Sequence, residues 1–70
     1  MNNFAKLEKI IIKKIERAYV AWMEGDNATT KASLFQACMI AQKNNIYTLE
    51  DEVHSIFGDF IHGFNDFANN

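Results

Sequence analysis

The side chains able to do chemistry are concentrated at the end of the chain. In VHSIFGDFIHGFNDFANN, residues 53–70, two histidines and two aspartates are interleaved with four phenylalanines. On a helix Asp59 and His62 stand at i and i+3, and His62 and Asp66 at i and i+4. Those three would share one face, an arrangement a metal ion or an acid–base pair could use. The set is too sparse for that role, because it offers one imidazole and two carboxylates on a solvated face, and His54 falls roughly 80° away around the helix. Acid–base catalysis also needs its groups in a concave pocket, which three short helices hardly form. The sequence has no glycine-rich phosphate loop, nucleophile elbow or recognisable Cys/His pair. The lone cysteine, Cys38, excludes an internal disulfide and every multi-cysteine zinc pattern. It reads as a small buried hydrophobe, not a reactive thiol. No catalytic residue, no metal, no cofactor and no enzymatic activity are expected.

The phenylalanines are more orderly. FGDFIHG and FNDFANN form a seven-residue repeat that aligns Phe57 with Phe64, Asp59 with Asp66, and Phe60 with Phe67. At about 100° per residue, Leu49, Val53, Ile56, Phe57, Phe60, Ile61, Phe64 and Phe67 fall on one helical face. Glu52, Asp59 and Asp66 lie opposite, beside Asp51, Ser55 and His62. Burying one phenylalanine is worth about 1.5–3 kcal/mol, whereas Gly58 and Gly63 each cost about 1 kcal/mol in a helix interior. The seam therefore holds its helix if something covers it. The glycines mark either close helix approach or local fraying. Val53, Phe57, Phe60, Phe64 and Phe67, with Ile10 from the start of the chain, are the candidate core or dimer seam.

Three helices are needed to position these groups. Phe4, Leu7, Ile11, Ile15, Ala18 and Trp22 recur at helical spacing and predict a first helix over about 4–24. Its stripe is widened by Ile12, Tyr19 and Met23 on one side and by Ile10 and Ala21 on the other, so it should touch two neighbours. Gly25 suits a left-handed C-cap, and Asp26 or Asn27 can cap the next helix. The second helix, about 28–44, is apolar nearly all round and should be central. Thr30, Ser33, Ala37 and Ala41 form a small-residue side for close approach, with Leu34, Phe35, Cys38 and Met39 filling the other. Asn44-Asn45 ends it, asparagine tolerating left-handed geometry. Thr48 then opens a capping-box pattern, TLED, for a third helix over about 48–67. The expectation is a single all-α domain, residues 1–70, built as a small three-helix bundle.

Seventy residues lie near the lower limit for a self-sufficient core, and such chains usually rely on disulfides, a metal or oligomerisation. Because 49% of the residues are apolar, there is more apolar surface than so short a chain readily hides. A homodimer is therefore expected. No apolar run reaches the roughly 18 residues of a membrane span, and no signal-peptide cleavage pattern is present. A cytoplasmic protein is expected.

The net charge of −2 conceals an uneven distribution. Lys9, Lys13 and Arg17 form a basic ridge at i, i+4, i+8 on the first helix. Residues 46–70 carry five carboxylates and no lysine or arginine. The ridge could be solvated, or could pair with the acidic column of the third helix within the chain or across a dimer. One short basic face on an acidic chain is a poor footprint for nucleic acid. A helix-turn-helix is disfavoured because the would-be recognition helix begins LEDEV, three carboxylates facing phosphate. Membrane association through helix 1 is disfavoured too, since Tyr19 and Trp22 can continue the internal core. The candidate partner-binding residues are Asp51, Glu52, Asp59, His62 and Asp66. The reading that fits best is a non-enzymatic interaction protein that binds, and so inhibits or redirects, a larger protein. Abundant Asn, Ile and Lys suit an AT-rich phage or mobile element, hence an anti-defence, immunity or antitoxin-like factor in a host cytoplasm. The alternative is a small nucleic-acid-binding regulator that uses the ridge Lys9, Lys13 and Arg17.

Overall fold

The computed structural model describes the backbone of residues 3–68 and the side chains of residues 4–62. It contains three helices and, among the described residues, no strand: α1 (Asn3–Met23), α2 (Asn27–Lys43) and α3 (Tyr47–Ala68). Each lies within a residue or two of its expected span.

Two turns of the same design join them. Gly25 N–H donates to Trp22 O and Asp26 N–H to Ala21 O; twenty residues on, Asn45 N–H donates to Gln42 O and Ile46 N–H to Ala41 O. This paired pattern is the Schellman motif, which needs a left-handed residue at its fifth position. Gly25 (φ 80°) and Asn45 (φ 58°) supply it. Each turn passes directly into the next helix. Asp26 caps α2, its carboxylate accepting from Thr29 N–H at 3.1 Å and from Thr29 Oγ1 at 2.6 Å. At the second turn Ile46 takes the equivalent place, buried, with its carbonyl accepting from Glu50 N–H. The expected capping box is not used. Because the apolar Ile46 docks into the core, α3 starts at Tyr47 and Thr48 sits inside the first turn.

The order of the turns makes α2 the middle element. Its buried residues are Thr30, Ser33, Leu34, Ala37 and Ala41, so the small-residue side meets a neighbour as its pattern predicts. Ile11, Ile15, Ala18 and Ala21 of α1 and Leu49, Val53, Ile56 and Phe60 of α3 close the core. A ring contact joins α1 to α3, flanked by a ring pair within each helix. Trp22 stands edge-on to Phe60 at a centroid distance of 5.3 Å, Tyr19 stacks on Trp22, and Phe57 stands edge-on to Phe60. Such pairs add about 0.5–1.5 kcal/mol beyond the area they bury. The molecule is long and thin, 50 × 19 × 12 Å.

Two expectations need correction. Phe35 and Met39 do not fill the core: they are 60% and 50% exposed on the outward side of α2. A middle helix has two neighbours, and its third side has none. The wide stripe of α1 is likewise only partly covered, with Ile12, Tyr19 and Met23 exposed. As for Gly58, a Cβ built there meets nothing within 4 Å, so close helix approach is not its purpose. Gly63 lies outside the described side chains.

The two glycines should respond to alanine with opposite signs. Gly25→Ala forces a side chain into left-handed backbone and should lower stability by about 1–2 kcal/mol. Gly58→Ala relieves a helix interior and should raise it by about 0.5–1 kcal/mol. Thermal melts of the two variants in dilute solution check this.

Acid should act through the α2 cap. The Thr29 hydroxyl, then the Thr29 amide, hold the Asp26 carboxyl below its ordinary pKa. A depressed folded-state pKa means stabilisation that is complete above the ordinary carboxylate pKa and is lost as pH falls through the folded value. Asp26→Asn, which keeps an accepting oxygen but cannot titrate, should show a shallower loss of stability below about pH 4. Denaturant melts from pH 2 to 7 would reveal an unchanged slope if the cap contributed nothing.

Candidate functional site

The second turn decides which side chains of α2 and α3 face one another. The helices run antiparallel about the turn at Asn45 and Ile46, and Cys38 of α2 comes opposite His54 of α3: Cys38 Sγ lies 3.2 Å from His54 Nε2. Glu50, one turn before His54 on α3, brings Oε2 to 4.0 Å from the same Nε2. One ligand atom from each of Cys38, Glu50 and His54 thus lies within 4.8 Å of the others. Cys38 and Glu50 are half-buried and His54 is exposed.

This cluster corrects the reading of the histidines. The carboxylate that approaches an imidazole is at His54, and among the described residues no other histidine comes within 4.0 Å of one. A Cys/His pair does exist, invisible in sequence because its members belong to different helices. Cys38 is half-buried and hydrogen-bonded instead of inert in the core.

The chemistry open to the three residues follows from their protonation and geometry. Burial first, and the Glu50 carboxylate second, push the Cys38 thiol above its ordinary pKa. The tautomer of His54 sets which of Sγ and Nε2 donates across their 3.2 Å contact. A nucleophilic triad would place thiol and acid on opposite imidazole nitrogens. Here both face Nε2, which suits three donors converging on one point and not a relay of protons.

The residues singled out from sequence are distributed as follows. Val53 and Phe60 are interior, Phe57 is half-buried, and Ile10 is exposed. Phe64 and Phe67 lie outside the described side chains, as does Asp66. Asp51, Glu52, Asp59 and His62 are exposed along α3. Lys9, Lys13 and Arg17 are exposed on α1, and among the described residues no lysine or arginine pairs with a carboxylate within 4.0 Å. The expected pairing of ridge and acidic column within the chain is therefore absent from the described residues. Lys14, beside the ridge, donates instead to Gln36 of α2 at 2.8 Å.

An apolar feature of the surface is the outward side of α2. Ala28, Ala32, Phe35 and Met39, spaced four, three and four, form an exposed stripe along it. Phe57 and Ile61 of α3 extend the stripe sideways, lining shallow depressions of about 620 and 380 Å³. The second depression reaches Cys38 and His54, so the donor cluster stands at the edge of the apolar surface.

No protein-family model, curated protein or solved structure matches this chain.

Proposed function

We propose that the chain is a non-catalytic protein-interaction module that works as a homodimer, with the outward stripe of α2 as the face that meets the second copy. The observation that carries this reading is the exposure of Phe35 and Met39 in an apolar stripe along α2. The stripe is also self-complementary. A two-fold axis between Phe35 and Gln36 sets Met39 of one copy over the small Ala32 of the other and brings the two Phe35 rings together. Isologous contacts of this kind are the commonest in soluble oligomers.

Self-association leaves the acidic side of α3 free. Asp51, Glu52, Asp59 and His62 would then present a repeated acidic surface to a larger, basic protein, which the module would inhibit or redirect by occupying it. A protein without chemistry of its own acts in this way.

Sedimentation equilibrium tests the dimer. The wild-type chain should run at twice its 8.0 kDa mass at micromolar concentration, and Phe35→Lys should run as a folded monomer with unchanged helicity. A wild-type monomer, or a Phe35→Lys dimer, would overturn the reading.

One observation favours a second reading, nucleic-acid binding: the ridge Lys9, Lys13 and Arg17 is exposed and has no ion-pair partner among the described residues. Each phosphate neutralised by such a ridge contributes a salt-dependent increment. Reversing all three charges should leave the dimer intact and reveal no salt-sensitive nucleic-acid shift to lose. A shift in the wild type that the variant abolishes would replace the first reading with the second.

A further inference from the structure

We infer that Cys38, Glu50 and His54 form a binding site for a thiophilic divalent transition-metal ion such as Zn(II), one that ties α2 to α3. Three observations support this, none of which depends on self-association. First, the donors differ in kind and come from two helices, so their convergence is not the incidental clustering of carboxylates on one solvated face. Second, the spacing suits tetrahedral coordination. Metal–ligand bonds of about 2.0–2.3 Å imply ligand–ligand edges of about 3.4–3.6 Å. The Sγ–Nε2 and Nε2–Oε2 separations of 3.2 and 4.0 Å bracket that range. Third, one donor atom from each of the three residues lies within 4.8 Å of the other two, so all three can reach one ion.

The donor set also selects the ion. Calcium and magnesium require shells dominated by oxygen, and a thiolate with an imidazole favours zinc and its neighbours. Binding deprotonates the thiol: the S–H proton passes to water and the sulfur lone pair goes to the metal. Three protein ligands leave a fourth position for water or for a group brought by a docked molecule. Glu50 and His54, at i and i+4, hold the ion on α3, while Cys38 reaches it across the helix interface.

Cobalt(II) titrated into the metal-free, untagged chain is the test, because it reports thiolate ligation as a charge-transfer absorption. The expected result is a one-to-one complex with that band and with the intense visible absorption of four-coordinate cobalt, displaced by zinc(II). Cys38→Ser should abolish the band at unchanged helicity. Removing an outer-shell partner of a metal costs about 10–100-fold in affinity, so losing a ligand in Glu50→Gln or His54→Ala should cost more than about 100-fold. His62→Ala should bind cobalt as the wild type does. Absence of the band at stoichiometric cobalt, or its survival in Cys38→Ser, would overturn the site. So would its loss in His62→Ala. His54 is exposed, so its alanine variant keeps the test valid even if Cys38→Ser fails to fold.

Discussion

Everything in this molecule depends on two left-handed residues, Gly25 and Asn45. Each lets a helix end in a Schellman turn whose last residue directly precedes the next helix, so no slack separates the elements. The consequence is register. About Gly25, Lys14 finds Gln36, eleven residues away on each side; about Ile46, Cys38 finds His54. Core layers follow from the same constraint, since the small side of α2 can only meet Ile11, Ile15 and Ala18 if the first turn has its observed length. One inserted residue in either turn would rotate a helix by about 100° and carry its apolar face out of the core.

That constraint explains which parts of the fold were legible in sequence. Helix spans and turns come from periodicity and from residues with special backbone tolerance, both local properties. Thr48 misled because TLED is an equally local capping signal, and it lost to a tertiary one: burial of Ile46 outweighs a surface hydrogen bond in the first turn of α3. α2 misled for a different reason. An apolar helix reads as a buried helix, but a composition apolar on all sides does not say how many neighbours exist. With two neighbours, each needing a band of about 100°, about 160° of the helix circumference remains, and Phe35 and Met39 stand there.

The candidate site was the least legible. Spacing within one helix shows which residues of that helix share a face, and it drew attention to Asp59, His62 and Asp66. It says nothing of what another helix brings. The signal that would have found Cys38 and His54 was nonetheless present. A tight antiparallel turn at Asn45 and Ile46 lays the end of α2 against the start of α3, which brings Cys38 within reach of His54. Glu50 then follows from helical spacing alone. Turn geometry therefore carries functional information that a search for motifs along the chain passes over.

Chains near 70 residues commonly add something to their core, and Cys38 is too solitary to form a disulfide within this one. The two remaining means, association and a metal, would both act on the same side of the molecule. Phe35 belongs to the outward stripe and also lines the cleft that Cys38 and His54 share. A second copy seated on Phe35 would shield that cleft from water and strengthen every charged contact within it. Conversely, an ion held by Cys38 and His54 would fix α3 against α2, and with it Phe57 and Ile61, which extend the apolar face. Each ligand would bind the folded chain alone, so each would stabilise the fold by mass action. Because binding free energies are reciprocal, whatever one contributes to the affinity of the other is returned in equal measure. The weakness of a short core would thus become the means by which the two proposed events are coupled.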